Sequence, residues 1–167
     1  MRIQAWLRGF VYSLRAAALC GSPFQKEGEI IMEISFPVMA LQAQLHRRLM
    51  QGLEETGLSA GQPKVLAYLK SHEGQSQKDI ARACLLEPGS LTVLLKRMEA
   101  QGLIERRLGE GDRKTRRIYL TEAGRTLAGR AVECFYEVES LAFEGVSEEE
   151  IAVFSRVCEK MLDNLGL

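Results

Sequence analysis

Short polar and basic side chains recur between Glu87 and Gly102. They are Ser90, Thr92, Val93, Lys96 and Arg97. At helical spacing they share one arc, and the opposite side of the helix is apolar and carries Leu91, Leu94, Leu95 and Met98. Hydroxyl, ammonium and guanidinium groups on such an arc can contact phosphates and base edges in a DNA major groove, where a valine can pack on a thymine methyl group. Taken alone, a polar arc favours an ordinary solvated helix face.

A second group of basic side chains follows this helix. Residues 103–108 and 117–120 are predicted to be strands, and residues 109–114 the turn between them. Arg113 and Lys114 lie at the predicted tip, where insertion toward phosphate or an A·T-rich minor groove explains them better than solubilising charge. A helix followed by a basic β-hairpin predicts a winged helix-turn-helix.

The distribution of charge supports a nucleic-acid partner, although the total does not. The 22 basic and 22 acidic residues give a formal net charge of zero. Residues 106–117 contain six basic side chains against Glu110 and Asp112, whereas residues 131–167 contain nine acidic and two basic ones. Only the basic end of such a polarised molecule needs to face phosphate. Its arginines are predicted to contact phosphate or to supply flanking positive field; they are Arg106, Arg107, Arg116 and Arg117.

Three helices are predicted ahead of the polar arc. The first spans residues 36–53, and a capping box at Ser59–Gln62 opens the second, whose buried stripe is Val65, Leu66 and Leu69. Ser76 and Asp79 are predicted to cap a short third helix with Ile80, Ala83 and Cys84 as its apolar positions. The third helix and the helix that Pro88 begins form the helix-turn-helix pair.

Two helices are predicted after the hairpin. Thr121 is predicted to cap a helix that runs to about Glu144. Ser147, followed by three glutamates, begins the last helix, because acidic side chains are stabilising at the positive end of the helix dipole. Its apolar face is broad and consists of Ile151, Phe154, Cys158, Met161, Leu162 and Leu165.

Several motifs together resemble the MarR family of bacterial transcription regulators. They are GLIERR, a loop, DRK and IYLTEAG, preceded by GLSAGQPKVLAYL and GQSQKDIARAC, and the similarity covers roughly residues 41–165. The family usually has Asp-x-Arg in the wing, whereas this chain has Asp112-Arg113-Lys114. Because lysine lacks the planar fork of arginine, it stays open which of Arg113 and Lys114 enters the groove.

The resemblance implies a mainly α (α+β) fold. A winged helix-turn-helix would span residues 59–121, and residues 32–57 and 122–167 would form a dimerisation lobe. It implies a cytoplasmic homodimer that represses transcription by binding double-stranded DNA at a pseudo-palindromic operator, and that responds to a small, often phenolic, effector. Asp112 would brace the wing through an Asx turn or a pair with a nearby arginine, and Arg97 is the partner that the resemblance suggests.

Catalytic and metal chemistry find no support in the sequence, so no cofactor is expected and the protein is not predicted to be an enzyme. The four cysteines are widely spaced and include no CxxC pair. They are interpreted as reduced, mostly buried thiols, with a cysteine-based oxidant sensor as the sharper alternative. A winged helix that serves as a protein-interaction module is the remaining rival.

Residues 1–31 fit the rest of the domain poorly. Arg8 and Arg15 interrupt an apolar run that is too short to span a membrane, and Leu19 is not the small residue that a lipoprotein cleavage site needs before Cys20. The segment is either an amphipathic extra helix or not part of the native protein. A purine-rich run that resembles a ribosome-binding site could encode residues 26–29, so we hypothesise that Met32 is the true start.

Overall fold

The computed structural model describes residues 34–109 and 112–166, with the side chains of residues 109 and 112–115 outside the description. The chain divides into two compact units, residues 1–44 and 45–167. The predicted N-terminal extension, residues 1–31, lies outside the described residues. The helices are α1 (Ser35–Gly52), α2 (Gln62–Ser71), α3 (Gln77–Ala83), α4 (Pro88–Ala100), α5 (Glu122–Ala142) and α6 (Glu148–Asn164). The strands are β1 (Gln75–Ser76), β2 (Ile104–Gly109) and β3 (Asp112–Leu120).

One apolar core holds the larger unit together, as the helical and strand periodicities predict. The stripe of α4 is buried at Leu91, Leu95 and Met98. Val65, Leu66 and Leu69 of α2 are also fully buried, and Ile118 and Leu120 point inward from β3. Burying such a side chain contributes about 1.5–3 kcal/mol, so these positions fix how α4 and the hairpin lie in this unit. By contrast, α6 buries none of its residues.

Three helix starts are confirmed by their hydrogen bonds. The Ser76 hydroxyl accepts from the Asp79 amide at the start of α3, and the Thr121 hydroxyl accepts from the Gly124 amide at the start of α5. Ser147 and Glu150 form a full capping box at the start of α6. Each cap satisfies amide groups that have no partner inside the helix, which is why α3, α5 and α6 begin at these residues.

The capping box predicted at Ser59 is wrong. Helix α2 begins at Gln62, and its N-cap is Gly61, whose φ of +87° lies in the left-handed region. This backbone turn removes the Ser59 hydroxyl from the first amides of the helix, so only half of the box forms: Gln62 Oε1 accepts from the Ser59 amide at 2.8 Å. A second prediction also fails, in α3: Ala83 was predicted as an apolar, inward position but is exposed, and Ala81 is buried instead.

The hairpin is longer than predicted. The antiparallel sheet has the strand order β1-β3-β2, with Arg106 opposite Ile118 and Leu108 opposite Arg116. Strand β3 begins at Asp112, so residues 112–114 belong to β3 rather than to a six-residue turn, although the register shifts between Leu108–Arg116 and Gly109–Asp112. Turn-forming residue types led to the longer predicted loop, and the shift in register marks where the regular pairing of the two strands ends.

A tight joint connects the hairpin to α5. The Thr121 amide donates to the Leu103 carbonyl at 3.1 Å, and the Thr121 hydroxyl donates to the Gly102 carbonyl at 2.6 Å. A Cβ atom on Gly124 would lie 1.9 Å from the Leu103 carbonyl oxygen, so only glycine permits this approach. The base of the hairpin is therefore held by the first turn of α5.

Within residues 34–109 and 112–166, every helix is too short or too polar to cross a membrane.

Candidate nucleic-acid interface

Helix α4 presents the predicted arc on its exposed side. Ser90, Lys96 and Arg97 are exposed, and Val93 is 64% exposed. This arc is opposite the buried stripe of Leu91, Leu95 and Met98. With most of its surface exposed, Val93 gains little from intrachain packing and is accessible to an external apolar group.

Thr92 is the exception on this arc, because its side chain is half-buried and has partners within the protein. Its hydroxyl donates to the Pro88 carbonyl at 2.8 Å and accepts a hydrogen bond from Gln77 Nε2. The second contact joins the start of α3 to α4. Sequence reasoning missed Gln77, since a pairing across fifteen residues depends on how the two helices cross.

Two hydrogen bonds anchor the C-terminal part of α4 to the start of α2. Arg97 Nη1 lies 3.4 Å from the Ser59 hydroxyl, which is free for this contact because it does not cap α2. Gln62 is fully buried, and its Nε2 donates to Gln101 Oε1 at 2.6 Å. Gln101 is the C-cap of α4, so the buried amide of Gln62 fixes the end of the helix. Sequence reasoning had assigned Gln62 to the capping box alone.

The hairpin carries the second predicted group. Arg116 is exposed on β3, opposite Leu108 of β2, which is also exposed. The backbones of Asp112, Arg113 and Lys114 belong to β3, but their side chains lie outside the described part of the structure. The expected contact of Asp112 with Arg97 therefore stays a prediction.

Three other arginines of the hairpin have partners within the protein. Arg117 Nη1 donates to the Gly74 carbonyl at 2.9 Å, which ties β3 to the turn before β1. Arg107 pairs with Glu105 and lies over the ring of Tyr119, 4.8 Å from its centroid. Arg106 is turned inward and lies against Glu99. Direct phosphate contact therefore suits Arg116 better than Arg106 or Arg117.

The cysteines in the described part of the chain agree with their interpretation as reduced thiols that pack in the protein. Cys84 and Cys134 are buried, and burial raises the pKa of each thiol above its usual range. Their Sγ atoms lie 3.9 Å from the Lys64 carbonyl and 3.7 Å from the Leu49 carbonyl, respectively. A raised pKa keeps both groups protonated and unreactive at neutral pH. Cys158 is half-buried on α6.

The described residues also contain a groove and lack a metal site. The groove has a volume of 790 Å³ and lies where α3 turns into α4, with Ala81, Leu85 and Pro88 among its apolar lining. Leu85 holds a left-handed φ of +50° in this turn. No group of three or more His, Cys, Asp or Glu side chains within residues 34–109 and 112–166 could hold a metal ion.

Comparison with known proteins finds regulators of one family. A family model described as "MarR family" matches residues 56–115. The organic hydroperoxide resistance transcriptional regulator of Bacillus subtilis is 33% identical over 101 residues, 60% of this chain and 69% of that protein. The transcriptional repressor MdtR of the same organism is 27% identical over 80% of this chain and 86% of its own length. The S. aureus MepR–DNA complex superposes with a TM-score of 0.72 at 28% identity, covering 78% of this chain and 96% of MepR.

Proposed function

The chain belongs to the MarR family of winged helix-turn-helix transcription regulators, and from that premise we propose that it represses transcription by binding double-stranded DNA through α4 and the β2–β3 hairpin. Members of this family are regulators rather than enzymes. The main observation behind the proposal is that the two sides of α4 differ. One side is buried in the core, and the other is exposed and mostly polar and basic. The similarity to MepR, which was solved as a DNA complex, supports DNA binding.

The exposed arc of α4 has the chemistry of a major-groove reader. Ser90 and Lys96 supply hydrogen-bond donors, Arg97 supplies a guanidinium fork, and Val93 can pack on a thymine methyl group. The anchors at both ends of α4, from Gln77 and from Gln62, hold the helix in place before DNA arrives. A pre-positioned helix avoids an ordering cost on binding. Thr92 can accept a further hydrogen bond only alongside its contacts with Gln77 and Pro88.

The hairpin supplies the positive field and the second contact. We assign Arg113, Lys114 and Arg116 to the DNA backbone or to a narrow minor groove, and Asp112 to bracing the wing. Regular pairing of β2 with β3 runs from Ile104–Leu120 to Leu108–Arg116, and the register then shifts before Gly109–Asp112.

Helix α6 supports a homodimer. Its exposed apolar side chains include Val153, Phe154, Val157, Met161 and Leu162. A contiguous apolar face of this kind on a soluble chain marks an interface. The N-terminal part of α1 separately exposes Val38, Met39 and Leu41. We propose that a second copy covers these faces and so places two copies of α4 about 34 Å apart on a pseudo-palindromic operator in the cytoplasm.

Because the chain belongs to this family, we also propose that it responds to a small, often phenolic, effector. Such a molecule would shift the spacing of the two α4 helices and so change DNA affinity. Oxidation of a cysteine is the competing input, since the Bacillus subtilis relative is named for organic hydroperoxide resistance. The raised pKa values of Cys84 and Cys134 argue against either as the reactive group, so within the described residues a thiol sensor would depend on Cys158.

A binding titration tests this function. The probe is a duplex taken from upstream of the chain's own reading frame, and the control is the same duplex with its sequence scrambled. We expect binding of the upstream duplex to be at least about 10³-fold tighter, with a steep loss of affinity as salt rises. Equal affinity for both duplexes, or binding to neither, would reject sequence-specific DNA binding and favour the protein-interaction module.

A further inference from the structure

Arg106 occupies a position in β2 where an apolar residue would be expected. Side chains alternate along a strand, so Arg106 faces the same side as the buried Ile104. Across the sheet it pairs with Ile118, which is also buried. The side chain of Arg106 is only 18% exposed. A charged group therefore lies on the core-facing side of the wing, and this placement needs a partner to be tolerated.

Glu99, in the last turn of α4, provides that partner. Arg106 Nε lies 3.1 Å from Glu99 Oε2, although the two atoms are not aligned as a hydrogen bond. Arg106 Nε and Nη2 are shielded from solvent and form no hydrogen bond with the described residues. The carboxylate of Glu99 is thus the charge that neutralises Arg106. Removing it would leave a buried guanidinium uncompensated, which is far more costly than losing a surface ion pair.

We propose that the Glu99–Arg106 pair is the positioning contact that fixes the β2–β3 hairpin relative to α4, so that helix and wing engage DNA at the same time. This inference rests on the proposed DNA-binding function. Glu99 is assigned no contact with DNA, and Arg106, which the sequence predicted as a phosphate contact or a source of positive field, lies against Glu99 instead. At its base the hairpin is held to α5 by Thr121 and to the turn before β1 by Arg117, and the Leu103 amide donates to the Met98 carbonyl of α4 at 2.9 Å. Further along β2, Glu99–Arg106 is the ion pair that joins the hairpin to α4 within the described residues.

Two other accounts of Arg106 make different predictions. Because β2 is an edge strand, an inward charge could serve only to prevent pairing with another chain. That role does not require Glu99. Alternatively, the region could matter only through its total charge, and then removal of any nearby carboxylate should strengthen DNA binding.

Glu105 provides a matched control. It lies one residue before Arg106 and pairs with Arg107. The two carboxylate side chains are equally exposed, at 44%, whereas Arg107 is 57% exposed and Arg106 only 18%. Glu99→Gln and Glu105→Gln each remove one negative charge beside the hairpin, so their long-range effects on DNA should be nearly equal. Arg107 also keeps its contact with the ring of Tyr119 after Glu105→Gln. A positioning role predicts that only Glu99→Gln weakens DNA binding, whereas an effect of total charge alone predicts that both variants bind DNA more tightly.

The first experiment is a titration of the full-length variants on the upstream duplex. We expect Glu99→Gln to weaken binding by about tenfold, and Glu105→Gln to stay within about twofold of the parent or bind more tightly. The swapped pair Glu99→Arg with Arg106→Glu should recover most of the affinity, because it restores opposite charges. In the Glu99→Gln background, Arg113→Ala and Lys114→Ala should reduce DNA affinity less than they do in the parent, because a displaced wing makes weaker contacts with DNA. A merely destabilised fold would not produce this coupling.

The second experiment does not need DNA. Hydrogen–deuterium exchange of the free protein should accelerate in peptides that cover the hairpin for Glu99→Gln and remain unchanged for Glu105→Gln. Equal exchange in both variants, equal DNA affinity in both, or a swap that binds no better than Glu99→Gln would overturn the positioning role. If the parent chain binds no duplex, the proposed function fails, and the exchange comparison still decides whether Glu99 holds the hairpin.

Discussion

Helices α4 and α6 have opposite relationships to the rest of the chain. Helix α4 buries Leu91, Leu95 and Met98 completely and exposes polar groups, whereas α6 buries no residue and exposes a row of large apolar side chains. Helix α4 is thus stabilised by one copy of the chain. Helix α6 begins with a full capping box, but no residue of its apolar face is fully buried within the described part of the chain. The difference indicates that the surface proposed to read DNA is complete in the monomer, and that the surface proposed for dimerisation is not.

The largest expected effect is the loss of a core side chain from α4. Leu95→Ala should lower the free energy of unfolding by about 2–5 kcal/mol, because it removes a fully buried side chain and leaves a cavity. Urea denaturation at low protein concentration measures this change. Phe154→Ala in α6 is the control, and a similar loss for both variants would contradict the contrast between the helices.

Phe154→Glu, in contrast, should weaken the proposed dimer. A charge on the apolar face of α6 should weaken self-association by at least about 2 kcal/mol, as expected for a buried aromatic anchor at an interface. Sedimentation velocity across a concentration series measures the dissociation constant. The parent should be a dimer at micromolar concentration. A parent that sediments as a monomer would contradict the proposed homodimer.

The sequence predicted α4 and the hairpin because their signals are local. A helical stripe, Pro88 at the start of α4 and alternating apolar residues in β3 each act within a few residues. The contacts that fix α4 were not predicted, since Gln62–Gln101, Gln77–Thr92 and Glu99–Arg106 depend on how distant segments meet. Backbone conformation explains the failed capping box at Ser59, because a left-handed Gly61 cannot be read from residue types alone.

A smaller effect is expected from the exposed arc of α4. Lys96→Ala should cost about 1–3 kcal/mol on the upstream duplex and much less on the scrambled duplex, because the lost contact is to a base edge. Fluorescence anisotropy titrations measure both. The exposed position of Lys96 predicts an unchanged melting temperature, so a loss of stability would point to a structural role instead. Thr92→Ala would be harder to interpret, because it also removes the hydrogen bond with Gln77 inside the protein.

The smallest effects are expected at the wing tip. Arg113→Ala and Lys114→Ala should each weaken binding to both duplexes and lower the salt slope by about one unit, if each side chain contacts a phosphate. If the tip reads a narrow minor groove, the loss should depend on A·T content beneath it, and Lys114→Arg should bind more tightly if Lys114 is the inserted residue. Titrations at several salt concentrations separate these cases. Parental binding by both alanine variants would show that the tip is only a solvated loop.

Hydroxyl-radical footprinting of the upstream duplex, combined with the mass of the complex, tests the central claim most directly. One pair of chains with two complete α4 surfaces should protect two half-sites whose centres are about 10 base pairs, or a multiple of that spacing, apart. The mass should correspond to two chains for each pair of half-sites. A single protected block with one bound chain, or uniform weak protection, would contradict the account.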